Sequence, residues 1–223
     1  MLERLLHLIE KYPLNLISHL CSSLPIIIGL VRFRYLSKGL FFLLVLFSLY
    51  FISDSYSLWL AIARKSTFPI QNLQPLFEIW LISVIYLRCF QERNVSVYIK
   101  FATLICSVII IISFREDTIS TIGLTTQRLF TTSFVLFYFN KILTDARVKH
   151  VLIHSMFWIS AGLLIYSAGT FFFSLFSSYL YSDNITDDEF DPFWKLNQIL
   201  FIIFCLFSGT GLWFSKYDKE NFI

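Results

Sequence analysis

The fold class is decided by residues 39–62, which read GLFFLLVLFSLYFISDSYSLWLAI. An α-helix rises about 1.5 Å per residue, so about 20 mostly apolar residues cross the roughly 30 Å hydrocarbon core of a bilayer. This stretch exceeds that length and contains a single charged side chain, Asp54. The sequence therefore predicts a membrane-spanning helix here.

Further apolar segments lie on both sides of this helix. Together the predicted spans number seven and lie near residues 14–31, 39–62, 69–88, 97–114, 127–143, 151–180 and 193–214. Their connections are short, which favours antiparallel packing of neighbouring helices. We therefore predict an all-α, polytopic integral membrane protein that forms a seven-transmembrane-helix bundle.

The third predicted span is the most polar, because it contains Asn72, Gln74 and Glu78. We retain it since the chain from Leu76 to Leu87 is otherwise apolar, and a helix surrounded by others can face protein instead of lipid. Without it the chain would have six spans and both termini on one side. The sixth span repeats Ser-Ala-Gly at 160–162 and 167–169, and small residues at this interval predict close helix packing.

The composition excludes a water-soluble fold. Hydrophobic residues make up 57% of the chain and charged residues 15%, whereas soluble domains have about 45 to 50% and about 25%. The chain has 26 Phe but only 7 Gly, so bulky side chains, and not low-complexity sequence, supply the apolar excess.

The predicted membrane domain, residues 14–214, leaves little chain outside it. Residues 1–13 lack the order of basic, apolar and small residues of a cleavable signal, so we expect them to be retained. Residues 215–223 form a predicted short cytoplasmic tail. The N-terminal apolar residues recur at helical spacing and predict an amphipathic helix on the membrane surface: Leu2, Leu5, Leu6, Ile9 and Tyr12.

The distribution of Lys and Arg predicts the orientation, because these residues accumulate in short cytoplasmic loops. Of the 18 basic residues, eleven fall on one side of the predicted spans and seven on the other. Each loop between spans on the richer side carries three: Arg32, Arg34 and Lys38; Arg88, Arg93 and Lys100; Lys141, Arg147 and Lys149. We therefore predict an N-terminus outside and a C-terminus in the cytoplasm.

Two groups of residues raise the question of metal binding. The longest polar connection, DNITDDEFD at residues 183–191, lies outside in this topology, either as a solvated acidic loop or as a contact for a divalent cation. EF-hand spacing is missing from it. His150 and His154 share a face if the sixth span is helical from its start, but no third ligand accompanies them. We predict no metal site.

Polar side chains at membrane depth are costly and usually face the bundle interior or a water-filled cavity, so they indicate function. Two carboxylates qualify, Asp54 and Glu78, and other spans carry polar groups at similar depth, including Gln127, Ser167 and Thr170. His19 is a further candidate. This layer predicts an outward-facing polar pocket between the helices, lined by Asp54, Glu78, Asn72, Gln74, Arg128, Thr131, Asn197 and Gln198.

The charge of the two carboxylates leaves two interpretations open. No basic residue lies deep in a neighbouring span, although Arg128 could reach inward from the pocket mouth. In one interpretation at least one carboxyl is protonated, because burial and a like charge both disfavour the ionised form, and the protein responds to protons or cations. In the other interpretation each carboxyl accepts hydrogen bonds from its neighbours, Asp54 from Ser or Tyr hydroxyls and Glu78 from Asn or Gln amides.

Several kinds of chemistry have no anchor residues in this sequence. No lysine lies within the body of a predicted span, so a retinal Schiff base has no attachment point. The G-x-S-x-G, H-E-x-x-H and P-loop patterns are missing, and no cofactor is indicated. The net charge is only +3 and the basic residues are dispersed, so nucleic-acid binding is not indicated. We expect a protein that is not an enzyme.

Three stretches resemble a group of small, largely uncharacterised seven-span proteins of the Bacteroidota. They read NLQPLFEIWLISVIYLR at 72–88, FWISAGLLIYSAGTFFFSLF at 157–176 and FWKLNQILFIIFCLFSGTGLW at 193–213. The positions that match the group are Asn72, Glu78, Tyr166 and Asn197. The group usually has an aromatic, His or Tyr-rich turn before the Glu, where this chain reads LQPLF. The resemblance implies a bacterial inner-membrane location and a sensory module beside a separate histidine kinase.

The leading hypothesis is a receptor-like or accessory sensory protein that binds a small molecule or cation and signals to a histidine kinase or other membrane partner in the lipid bilayer. The alternative is a transporter or channel for a small solute or cation that uses the same carboxylates. A third hypothesis is a membrane enzyme acting on lipid, with His150, His154 and Asp145 as its catalytic group.

Overall fold

The computed structural model describes residues 12–90, 92–145, 150–182 and 185–218, and every regular element among them is a helix. The predicted all-α class is confirmed. Of the predicted surface helix at 1–13, all but the last two residues lie outside the described residues. The helices are α1 Pro13–Val31, α2 Lys38–Ile62, α3 Phe68–Cys89, α4 Arg93–Ile112, α5 Thr121–Asp145, α6 Ser155–Gly169, α7 Phe171–Leu175, α8 Ser177–Leu180 and α9 Asp187–Asp218.

Within the described residues, five helices are long and apolar enough to cross a membrane, namely α1, α2, α3, α4 and α9. The third predicted span, the most polar by sequence, is among them as α3. Helix α5 has 25 residues but a more polar sequence, and α6 is apolar but has only 15 residues. These helices support a multi-pass membrane protein.

The sixth predicted span, residues 151–180, is not one continuous helix. A 3-10 turn precedes α6, and single-residue turns separate α6 from α7 and α7 from α8. The single residue between α6 and α7 is Thr170, whose hydroxyl donates to the Tyr166 carbonyl at 2.7 Å. Thr, Ser and Phe have lower helix propensity than Leu or Ala, and they dominate this run. The N–H of Ser178 donates to the Thr121 hydroxyl at 3.0 Å, which ties α8 to the start of α5.

At the start of this segment, a 3-10 turn lies between the two histidines that the sequence placed on one helical face. Residues Val151–Ile153 form the 3-10 turn, and both flanking residues have extended backbone. His150 has φ −132° and ψ 100°, and His154 has φ −76° and ψ 115°. The prediction of a shared helical face is therefore wrong, because α6 begins only after His154.

The last helix begins at Asp187, inside the predicted acidic loop at 183–191. The backbone N–H and the hydroxyl of Thr186 donate to Glu189 Oε2 at 3.1 and 3.0 Å. The Glu189 N–H donates in return to the Thr186 carbonyl at 3.1 Å. A Thr followed three residues later by Glu is the sequence pattern of a capping box. Here the Glu189 side chain satisfies the Thr186 N–H, while the Thr186 hydroxyl donates to Glu189 instead of accepting its N–H.

The same helix also continues beyond the predicted boundary at residue 214. It ends at Asp218, whose carboxylate accepts the Ser155 N–H at 3.1 Å and lies 2.8 Å from His154 Nδ1. These contacts hold the last turn against the start of α6. Residues 215–218 of the predicted tail are therefore helical, and residues 219–223 lie outside the described part of the chain.

The helices form a closed bundle. Consecutive long helices pack on each other, α9 packs on both α6 and α1, and α3 packs on α5 as well as on its chain neighbours. Large apolar side chains lie on the outer surface, for example Ile112 with 80% and Tyr98 with 72% of its area exposed. Hydroxyls lie inside: the Ser83 and Thr103 oxygens are 2.6 Å apart. Apolar residues outside and small polar residues inside are typical of a membrane bundle.

The repeated Ser-Ala-Gly motif lies at the contact between α6 and α9. A Cβ added to Gly162 would lie 2.6 Å from the Phe207 Cβ, and one added to Gly169 would lie 2.7 Å from the Leu200 Cδ1. Both distances are too short for a carbon–carbon contact. The two glycines therefore permit the close approach that the sequence predicted.

Candidate functional site

A cavity of about 370 Å³ lies at one end of the bundle. The N-terminal parts of α1, α3, α5 and α9 and the C-terminal part of α2 line it, together with Tyr166, Phe173 and Ser174. Its size falls within the range of about 300 to 1,000 Å³ found for small-molecule sites. The structure brings the following predicted pocket residues together around it: Asp54, Gln74, Glu78, Arg128, Asn197 and Gln198.

Asn72 lies outside this cavity. Its side-chain N–H groups donate to the Arg115 carbonyl at 2.6 Å and the Thr118 carbonyl at 2.8 Å. Its oxygen accepts the Ser120 N–H at 2.8 Å. Asn72 therefore fastens the connection between α4 and α5 to α3. Both its amide nitrogen and its amide oxygen are hydrogen-bonded.

Glu78 is buried, with 3% of its area exposed, and two amides satisfy it. Gln74 Nε2 donates to its Oε1 at 2.9 Å, and Gln127 Nε2 donates to its Oε2 at 2.5 Å. Gln127 also donates to the Thr131 hydroxyl at 3.3 Å, so Thr131 supports this contact and does not line the cavity. The interpretation in which amides satisfy Glu78 agrees with this geometry.

Arg128 lies inside the bundle and not at the mouth of the pocket, where the sequence placed it. It is 8% exposed, and its Nη1 lies 3.9 Å from Glu78 Oε2. Its Nη2 donates to the Tyr166 hydroxyl at 3.0 Å, and its guanidinium carbon lies 4.3 Å from the centre of that ring. The nearby carboxylate and aromatic ring explain how the charge is accommodated at this depth. Its buried Nε has no hydrogen-bond partner among the described residues.

Asp54 differs from Glu78 because no described residue donates a hydrogen bond to it or forms an ion pair with it. Two of the neighbouring hydroxyls that the sequence offered as its partners are used elsewhere. Ser53 donates to Gln74 Oε1 at 3.2 Å, and Ser55 donates to the Phe51 carbonyl at 2.7 Å. Asp54 is therefore a carboxylate on the cavity wall that the described part of the protein leaves uncompensated.

Aromatic side chains form much of the cavity wall, and of these the sequence pointed only to His19, as a pocket candidate, and to Tyr166, through the resemblance. Tyr50 is 2% exposed and lies near Glu78, and among the described residues its hydroxyl has no hydrogen bond of good geometry. His19 also lines the wall and stacks on Phe51 with ring centres 4.5 Å apart, and no residue in the described part of the chain is a partner for its buried Nδ1. Aromatic residues make up 19% of the chain, so none of them stands out by composition. The remaining aromatic lining residues are Tyr12, Tyr166, Phe173, Tyr181, Trp194 and Phe201.

A second polar cluster lies at the opposite end of the bundle. His154 is 4% exposed, its Nε2 lies 2.7 Å from the Tyr138 hydroxyl, and its Nδ1 contacts Asp218. His150 is exposed and lies before the 3-10 turn, and the side chain of Asp145 lies outside the described part of the chain. The cluster joins α5, α6 and α9. Its arrangement is that of a structural clamp.

Among the described residues, no group of three or more His, Cys, Asp or Glu side chains could hold a metal ion. Asp54 and Glu78 are the acidic lining residues of the cavity, and both oxygens of Glu78 already accept hydrogen bonds from side-chain amides. The chemistry available at the cavity is therefore binding through charge, hydrogen bonds and aromatic faces.

Comparisons of the chain with models of known families, with curated proteins and with solved structures find no match.

Proposed function

We propose that this chain is a receptor-like or accessory sensory protein of a bacterial inner membrane, with seven spans and an outward-facing pocket. A small molecule or cation enters the cavity and shifts the surrounding helices. The shift is passed to a separate partner, such as a histidine kinase or another membrane protein. The observation that carries this proposal is the cavity itself, which is bordered by several helices and retains an uncompensated carboxylate at Asp54.

In this proposal α5 is the fifth span and the α6 to α8 segment is the sixth. Helix α5 has 25 residues, which corresponds to about 37 Å at 1.5 Å per residue. Its polar residues Gln127 and Arg128 are buried, whereas Leu129 and Leu136 are half-exposed and suit lipid contact. The α6 to α8 segment extends from the end of the bundle that holds Asp218 to the end where α5 begins.

The basic loops support an outward-facing cavity. Arg32 and Arg34 lie between α1 and α2, Lys38 is the first residue of α2, and Arg88 and Arg93 border the connection between α3 and α4. Both connections are at the end of the bundle opposite the cavity, and basic loops of this kind stay in the cytoplasm. The cavity then opens toward the outside, and the termini lie on opposite sides.

Apolar packing below the cavity favours a receptor over a channel. The deepest lining residues on α2, α3 and α9 are Tyr50, Glu78 and Phe201. The next side chains inward on the same helix faces are fully buried apolar groups: Phe47, Ile82 and Phe204, each with 0% of its area exposed. These side chains close the bundle between the cavity and the cytoplasmic end.

Helix α9 is the element best placed to carry a signal. It contributes Asn197 and Phe201 to the cavity wall and Asp218 to the clamp at the other end. The distance from Asn197 to Asp218 along one helix is about 30 Å at 1.5 Å per residue. A ligand that displaces the start of α9 therefore changes the position of its cytoplasmic end.

Thiol labelling from outside the cell tests whether the cavity is open and outward-facing. The experiment replaces Cys21, Cys89, Cys106 and Cys205, which form no disulfide, and then introduces Ser57→Cys on the cavity wall. A membrane-impermeant maleimide should label this thiol in intact cells, because only a hydrated thiol forms the reactive thiolate. The matched control is Ser48→Cys, which lies on the same helix but inward of the cavity and should stay unlabelled.

Labelling of the Ser57→Cys variant only after the membrane is permeabilised would overturn the proposed orientation. Absence of labelling under both conditions would show that the cavity is closed to water, and the receptor proposal would fail. Uptake of a small solute or cation by proteoliposomes would favour the transporter alternative instead.

A further inference from the structure

The charges that line the cavity do not balance. Its described wall carries the carboxylates of Asp54 and Glu78 and the guanidinium of Arg128. Arg128 is committed to Glu78, at 3.9 Å, and to the hydroxyl and ring of Tyr166. Asp54 is therefore the lining carboxyl that no described donor or cation satisfies, and in its ionised form it carries the unbalanced charge of the wall.

Asp54 is half-buried, and a carboxylate with limited contact to water and no partner is unfavourable, so a ligand that supplies a positive charge gains from binding here. Protein encloses part of the cavity, and electrostatic attraction next to protein is stronger than in bulk water. The charge of the wall therefore favours a cation over a neutral molecule or an anion.

The aromatic wall selects among cations. Five aromatic side chains line the cavity from α7, α9 and the segments next to α1 and α8: Tyr12, Phe173, Tyr181, Trp194 and Phe201. The faces of Trp, Tyr and Phe attract organic cations, and several such rings around one cavity suit an alkylated ammonium group. A divalent metal ion is usually held by several carboxylate, imidazole or thiolate ligands, and among the described residues no three or more His, Cys, Asp or Glu side chains form such a group.

We propose that the ligand of this cavity is a small organic cation of the ammonium class, whose charge pairs with Asp54 and whose alkyl groups contact the aromatic wall. This inference rests on the proposed function, because it names the ligand class of the same cavity. The Arg128–Glu78 pair has no direct role in holding the charge. It keeps α3 and α5 together behind the site.

Three probes of similar size separate charge from shape. Choline carries a permanent positive charge, 3,3-dimethyl-1-butanol is its neutral isostere, and glycine betaine adds a carboxylate to the same trimethylammonium group. Calorimetric titration into the full chain in lipid nanodiscs should show binding of choline with an affinity at least about tenfold above that of either other probe, which corresponds to about 1.4 kcal/mol.

The first variant, Asp54→Asn, keeps the shape of the side chain and removes its charge. We expect it to reduce the affinity for choline at least about tenfold, or about 1.4 kcal/mol. Its matched control is Asp117→Asn, an exposed residue between α4 and α5 that does not line the cavity, which should bind choline like the natural chain. Equal thermal unfolding of both variants establishes that each is folded.

The second variant, Phe173→Leu, keeps an apolar side chain at the wall and removes an aromatic face. We expect choline affinity to fall about threefold, as cation–π contacts of this kind predict, while the neutral isostere binds unchanged. Phe172→Leu is the control, because Phe172 is 65% exposed and does not line the cavity.

The outcomes separate this inference from the proposed function. Equal binding of choline and its neutral isostere, or tighter binding of glycine betaine, overturns the assignment of an organic cation. The same holds if choline fails to bind while the Ser57→Cys thiol is labelled from outside, and the receptor proposal then stands. If neither binding nor labelling occurs, both proposals fail.

Discussion

The buried pair of Glu78 and Arg128 predicts a large energetic coupling between α3 and α5. Glu78 Oε2 and Arg128 Nη1 are 3.9 Å apart, and the exposed fractions of the two side chains are only 4% and 9%. Two unit charges at about 4 Å attract by about 4 kcal/mol at an effective dielectric constant of about 20. The amides on Glu78 and the Tyr166 hydroxyl on Arg128 keep part of the stabilisation when one partner is removed, so we expect a coupling energy of about 2 to 3 kcal/mol.

The perturbations are Glu78→Gln, Arg128→Met and the double variant. Arg128→Met leaves a buried carboxylate without its cation. Glu78→Gln removes the charge and turns one acceptor oxygen into an N–H donor that faces the amide of Gln74 or Gln127. Each single variant should therefore lose about 3 kcal/mol of unfolding free energy. The double variant should lose clearly less than the sum, because it leaves no unpaired charge.

Unfolding by sodium dodecyl sulfate in mixed micelles, followed by circular dichroism, measures these free energies. The matched control is the pair of Asp191 and Lys195, one helical turn apart, with 33% and 53% of their side-chain areas exposed. For Asp191→Asn and Lys195→Met we expect a coupling of only about 0.3 to 0.5 kcal/mol. A coupling at Glu78 and Arg128 no larger than this control would refute the reasoning, since burial would then not strengthen the pair.

Three further predictions concern packing and connections. Gly162→Ala should destabilise the protein by about 1 to 3 kcal/mol, because its Cβ would lie 2.6 Å from a neighbouring side chain, whereas Gly39→Ala meets its nearest atoms at 3.5 Å and should not lower the melting temperature. Asn72→Ala should lower the free energy of unfolding by about 3 kcal/mol, because it leaves a buried N–H without a partner. Its control, Asn94→Ala on the exposed start of α4, should change this free energy by less than about 0.5 kcal/mol. Denaturant unfolding measures both. Asp218→Ala should speed amide hydrogen exchange in the last turn of α9 and leave the cavity helices unchanged; protection equal to the natural chain would contradict a clamp at this end.

Local sequence was sufficient for the helices and for several of their ends. The length and apolarity of residues 39–62 predict α2, and the third segment is a long helix despite Asn72, Gln74 and Glu78. The capping-box pattern at Thr186 was also readable from the sequence, but it was interpreted as part of an acidic loop.

The sequence alone did not reveal which polar residues meet. Asn72 and Glu78 lie on the same helix at similar depth, yet one fastens a loop and the other enters the cavity wall. In a bilayer, lipid is as apolar as the bundle interior, so hydrophobic periodicity gives little information about which face of a helix turns inward. The rotation of each helix, and hence the partners of its polar side chains, follows from packing.

The sequence by itself therefore determined an apolar, all-α chain with helices long enough to cross a membrane, because the transfer of a side chain from water to lipid depends mainly on that side chain and its neighbours along the helix. Only the tertiary structure decided that Arg128 turns inward to Glu78, that Asp54 is left without a partner, and that the sixth segment is broken. These features depend on contacts between residues far apart in the chain, and a pairing of that kind has no signal in either local sequence.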